Sequence, residues 1–210
     1  MNTKTMKTTL KSLVVTVSVL AAAAIPASAQ EMLSREEAMR YAFLVSKYEP
    51  TTGQAPIRVD SDLKRPVAGH DGDYGILILP ETKLSASTFQ SLQGDVVPVG
   101  QLWLRKLTPM AEGSAVDESQ LQIVRVMHEG DTARVPLCLL GVRKAKEGAL
   151  ELLIYGKGKE PILRVPMTKA ARTQSLPIEF TSERESDSGR VTLRFVGQYE
   201  ATFFLTELPE

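Results

Sequence analysis

Three apolar runs, Val135 to Val142, Ala149 to Tyr155 and Ile162 to Val165, are divided by charged segments that contain glycine. That is the pattern of strands joined by tight turns, and it predicts a three-strand antiparallel meander at the centre of the core. The same pattern continues on both sides. Tyr74 to Leu79 is almost wholly apolar, which predicts a strand covered on both faces. Val96 to Leu107 predicts a longer strand interrupted near Pro98-Val99-Gly100, where proline removes a ladder donor and glycine permits a bulge. Beyond the break, Gln101, Trp103 and Arg105 share one face, while Leu102, Leu104 and Leu107 fall largely on the other. Leu121 to Met127 alternates as a strand does. Ile178 to Thr181, Arg190 to Val196 and Ala201 to Leu208 predict the last strands, with Ser182 to Gly189 as a charged hairpin loop. Ile57 to Val59 reads as a short strand and Met110 to Gln120 as an acidic loop, and Phe180, Phe195, Phe203 and Phe204 are candidate core residues.

The helical signals are fewer. Ser34-Arg35-Glu36-Glu37 is a capping box and predicts a helix from about Arg35 to Tyr48. Ala38, Tyr41, Ala42, Val45 and Tyr48 recur on one face, and Pro50 with Gly53 ends the element. Ser85 opens a second, short helix, with Leu84 stapled onto Phe89 and Gly94 beyond its end. The predicted fold is therefore all-β: an antiparallel two-layer β-sandwich, or a partly closed barrel, with an N-terminal α-helix and one short extra helix. No repeat is visible, and residues 30–210 read as a single β-rich globular domain.

The start of the chain changes the compartment. Lys4, Lys7 and Lys11 precede the acid-free apolar run Leu13 to Ile25, and Ala27-Ser28-Ala29 supplies the small residues of a cleavage site. Residues 1–29 are read as a signal peptide, so the mature domain is expected to be exported, periplasmic or extracellular, with no transmembrane anchor after cleavage. Removing that leader takes three of the 25 basic residues and none of the 25 acidic ones, which leaves 22 against 25. With net acidity and export together, nucleic acid is excluded as a partner.

No reactive motif is complete. Cys138 is the only cysteine, so no intramolecular disulfide forms, and its apolar run predicts a buried, inert thiol. Ser61-x-x-Lys64 has the spacing of a serine nucleophile beside lysine but lacks the S-D-N and K-T-G elements of that chemistry. There is no G-x-S-x-G elbow, and Gly156-Lys157-Gly158-Lys159 runs into Glu160-Pro161 and not into a helix, unlike a phosphate-binding loop. His70, Asp71, Asp73 and His128 are weak metal candidates, because the histidines lie far apart and the aspartates lack calcium-loop spacing. No cofactor is indicated.

Two surface features remain. From Arg143 to Arg172 there are eight basic and three acidic residues. An antiparallel meander would place Arg143, Lys144 and Lys146 at the same end of the sheet as Lys169 and Arg172, where they would attract an envelope protein or an anionic surface. Trp103, on a half-polar face, is a candidate platform for a sugar ring as well as a packing residue. The preferred expectation is a non-enzymatic binding or assembly module of the cell envelope. The alternative is a small-molecule or metal-binding periplasmic protein, or a hydrolase, working through the polar loops near His70 to Asp73 and His128. The two differ in whether those loops converge on one pocket.

Overall fold

The computed structural model describes residues 31–48, 56–128, 130–145, 148–185 and 187–209. The leader, Pro50, Gly53 and Lys146 lie outside the described residues. In chain order the strands are β1 (Glu31–Met32), β2 (Val67–Asp71), β3 (Tyr74–Pro80), β4 (Val97–Arg105), β5 (Leu107–Ala111), β6 (Ser114–Ala115), β7 (Gln122–His128), β8 (Asp131–Lys144), β9 (Leu150–Tyr155), β10 (Pro161–Lys169), β11 (Ile178–Glu185), β12 (Ser188–Phe195) and β13 (Tyr199–Glu207). The helices are α1 (Arg35–Ser46) and α2 (Ala86–Gln90).

These strands form one antiparallel sheet in the order β1-β2-β3-β4-β8-β9-β10-β13-β12-β11, with β7 added to β8, β5 to β13 and β6 to β5. The fold is all-β, a half-barrel made by curling that sheet. Two strands carry the curl. β10 pairs with β9 through Pro161 to Pro166 and with β13 through Met167 to Lys169. β4 pairs with β3 and β8, and the chain then turns at Lys106, with φ of 55°, so that β5 joins β13 in the opposite half.

The meander is present as β8, β9 and β10, and the alternating residues Cys138, Leu140, Val142, Leu152 and Ile154 point into the interior and are fully buried. They meet Val191, Leu193 and Phe195 from β12 and Ala201, Phe203 and Leu205 from β13, so the two halves of the sheet share one core. The break near Pro98 is a register shift between Pro98 and Gly100, as the sequence pattern implies. Phe204 is a correction: it is 40 % exposed because it follows inward-facing Phe203, and neighbouring residues of a strand take opposite faces.

α1 covers the outer face. Its capping box is complete: Glu37 N–H donates to Ser34 Oγ at 3.3 Å, and Ser34 N–H donates to a Glu37 carboxylate oxygen at 3.1 Å. Ala38, Ala42 and Val45 pack on Leu77, Leu79, Trp103, Val124 and Leu137. The alanines let the helix approach closely, and the bulkier Tyr41 and Tyr48 are left at its margin, where Tyr48 Oη donates to Met127 O at 3.2 Å. α2 brings Phe89 against Phe195 and Tyr199 and, with Leu84 and Leu92, plugs one end of the half-barrel. No helix among the described residues is long and apolar enough to cross a membrane.

Four local expectations fail: the predicted charged loop Ser182 to Gly189 is mostly strand, with β11 running to Glu185 and β12 starting at Ser188, because the ladder continues to a tight turn. β2 lies where a polar turn is predicted, β5 and β6 occupy part of the predicted acidic loop, and Ile57 to Val59 is not a strand although Ile57 and Val59 are buried. Val67 to Asp71 carries no convincing alternation, yet β3 on one side and β1 on the other supply its hydrogen bonds. β2 and β5 are arms of two-residue hairpins, Asp71 paired with Tyr74 and Ala111 with Ser114 around Gly72 and Gly113 in the left-handed region, so turn geometry outweighs their polar composition, while Ile57 to Val59 finds no ladder.

The junction of β9 with the start of β7 offers a test. Lys157 N–H donates to Gln120 O at 2.7 Å, and a Cβ on Gly156 would lie 2.1 Å from that oxygen. Gly156→Ala is expected to lower unfolding stability by about 2 kcal/mol. Gly158→Ala, placed in open space, should stay within about 0.5 kcal/mol of the parent in urea unfolding.

Candidate functional site

The end opposite α2 is open, and the reason lies in the inward-facing rows of β11, β12 and β13. Moving from the plugged end, the rows read Phe180–Leu193–Ala201, then Ser182–Val191–Phe203, then Arg184–Gly189–Leu205. Along β12 the inward bulk falls from Leu193 through Val191 to Gly189. A Cβ on Gly189 would meet nothing within 4 Å, and the backbone there is not in the left-handed region. Glycine on the inner face of a strand thus leaves space where a side chain would stand.

The space is a cavity of about 400 Å³ between the β2–β3 hairpin, the β11–β12 hairpin and the ends of β5 and β13. Ile76, Val191 and Leu205, all buried, form its floor. Its rim is charged. Arg184 Nη1 lies 3.4 Å from Asp71 Oδ2, and its guanidinium sits 6.0 Å from the centre of the Tyr74 ring. The Glu207 carboxylate beside the Tyr74 hydroxyl, with desolvation, pushes the phenol above its ordinary range. Beside them Lys106 holds Asp73 at 2.7 Å, so the Asp73 carboxyl titrates below its ordinary range and the Lys106 ammonium above its own. The contacts of Arg184 with Asp71 and with the Tyr74 ring, and no strand pairing, join the two hairpins across the open seam between β2 and β11.

The candidates from sequence separate in space. Asp71 lines the cavity, Asp73 is paired with Lys106 on the neighbouring turn, and His70 lies on β2 with Nε2 4.0 Å from Glu31 Oε2. His128 ends β7 and touches the Tyr41 ring, 6.1 Å between centres, beside the α1 margin. Among the described residues no three metal-ligating side chains come together. Asp62 is held by Arg65 at 2.6 Å, Ser61 forms an isolated bridge with Glu81 and Lys64 lies in a turn, so no helix sets the lysine beside the serine.

Trp103 is a correction as a surface candidate. It is 1 % exposed beneath α1, and its Nε1 donates to Gln101 Oε1 at 3.0 Å, so the half-polar face is an interior one. The basic residues keep the predicted placement: Lys144, Lys169 and Arg172 are exposed at the end that α2 plugs, while Arg143 is paired with Glu151 at 2.9 Å. Lys146 lies outside the described residues. Sequence reasoning did not single out Tyr74, Arg184, Gly189 or Glu207. The signal available was the small residue at Gly189 in an otherwise bulky inward series, legible only once the pairing of the last three strands is known.

No protein family's profile matches the chain, and no curated protein or solved structure is detectably similar to it. The class that fold and site define is a half-barrel domain with a cavity at its open end.

Cys138 is buried, and desolvation pushes its thiol from an ordinary 9.0 up to about 12. The folded chain therefore keeps this proton longer than the unfolded one. Its contribution is intact below pH 9.0 and is lost as pH rises toward about 12, by up to about 1.4 kcal/mol per pH unit. The stability difference between the parent and Cys138→Ala is expected to be constant at neutral pH and to shrink in urea unfolding above pH 9; a difference that stays flat at higher pH would contradict the burial.

Proposed function

We propose that this chain is an exported, non-catalytic binding domain of the cell envelope that takes a small ligand in the open end of its half-barrel. The space beside Gly189 carries the reading. A core filled elsewhere by leucine, isoleucine and phenylalanine leaves about 400 Å³ at one end, over an apolar floor and within a polar rim, and that size and mixture suit a small-molecule site. At the rim Asp71 is paired with Arg184, and on the neighbouring turn Asp73 with Lys106, which favours recognition over nucleophile-and-base chemistry. Export is supported by the leader pattern at residues 1–29.

A second reading, assembly with another envelope protein, has one observation in its favour. β11 pairs only with β12 among the described residues, and its other edge borders an apolar gap lined by Leu33, Val67, Leu176 and Phe180. An extended segment could join that edge. Amide exchange at residues 179–185 would then slow when an envelope protein extract is added.

The ligand reading is tested by Gly189→Leu, which fills the cavity without straining the backbone. Native mass spectra of the mature chain, incubated with small molecules extracted from its own cell envelope, are expected to show an adduct that Gly189→Leu lacks. The Tm of the variant should equal or exceed the parent's, since glycine in a strand costs about 0.5–1 kcal/mol. An adduct retained by the variant would place the site elsewhere, and no adduct on the parent would refute the reading.

A further inference from the structure

We infer that the open end receives an amphiphile with a short alkyl body and a cationic amine head. The inference rests on the cavity being the ligand site and adds the chemistry of the ligand. Its inner part offers only hydrocarbon, from Ile76, Val191 and Leu205. Its wall contains four carboxylates, Asp71, Glu183, Asp187 and Glu207, against one cation, Arg184. Two of the four are matched: Asp71 by Arg184, and Glu183 by Arg190 just outside the wall. Asp187 and Glu207 make no ion pair among the described residues, and Glu207 has only the neutral Tyr74 hydroxyl beside it. A carboxylate-headed ligand would meet two like charges there, with Arg184 already engaged by Asp71. An ammonium would meet two unmatched acceptors, both solvent-exposed, at the mouth of a greasy pocket, where their negative potential attracts a cation. The alkyl body then occupies the space beside Gly189.

Calorimetric titration of the mature chain with octylamine, octanol and octanoate at pH 7 tests this. Octylamine is expected to bind about tenfold more tightly than either neutral or anionic analogue, and more weakly as salt rises. Glu207→Gln, which keeps an acceptor for Tyr74, and Asp187→Asn should each weaken octylamine about threefold and leave octanol unchanged. Gly189→Leu should abolish binding of all three. Octanoate binding as tightly as octylamine would overturn the inference and give the head-group role to Arg184. If none of the three binds while a Gly189-dependent envelope adduct is still seen, the amine inference fails and the cavity stands as a ligand site. If both experiments are negative, the two readings fall together.

Discussion

An antiparallel sheet with one strongly apolar face must cover that face, and here the sheet covers it with itself. Most of the large buried side chains belong to a single interior to which β3, β4, β8 and β9 contribute from one half and β11, β12 and β13 from the other. Curling has a geometric requirement: some strands must belong to both halves. β10 meets it by exchanging partners along its length, and β4 meets it by turning at Lys106 into β5. Everything outside the curl is cladding. α1 covers Trp103 and Leu77, and the segment around Ile57 covers Leu153 and Tyr155.

A curled sheet has two ends, and the chain treats them differently. Phe89 on α2 stops one, against Phe195 and Tyr199. At the other the inward series of β12 ends on Gly189, and the two flanking hairpins are held by Arg184 to Asp71 and the Tyr74 ring, without a shared ladder. Partly exposed contacts of that kind contribute little each, commonly under about 1 kcal/mol. The open end is thus the part of the molecule where opening costs least, which suits a ligand entrance. Charge follows the same division, with Lys144, Lys169 and Arg172 at the plugged end and Asp71, Asp187 and Glu207 at the open one.

Local chemistry was legible wherever the sequence could satisfy it locally. The capping box at Ser34 needs only residues three apart, the shift at Pro98 needs only a missing donor beside a glycine, and burial of Cys138 needs only its own apolar run. The meander was readable because its turns are short and its strands adjacent. These features fixed the fold class, the placement of the two helices and the end of the sheet that carries the basic turns.

What lay beyond reach depended on segments far apart in the chain. Trp103 turns inward because a helix that ends near residue 46 lies over it. The cavity itself joins Asp71 to Arg184 and Tyr74 to Glu207, pairs that no spacing rule connects. Periodicity in a sequence says which residues share a face; it does not say which face meets which. The sequence by itself determined the all-β class, the meander, the cap of α1 and the inert thiol, because those follow from nearest-neighbour backbone geometry. Only the tertiary structure decided that the sheet would curl and leave one end open beside Gly189, because that follows from how distant strands pair.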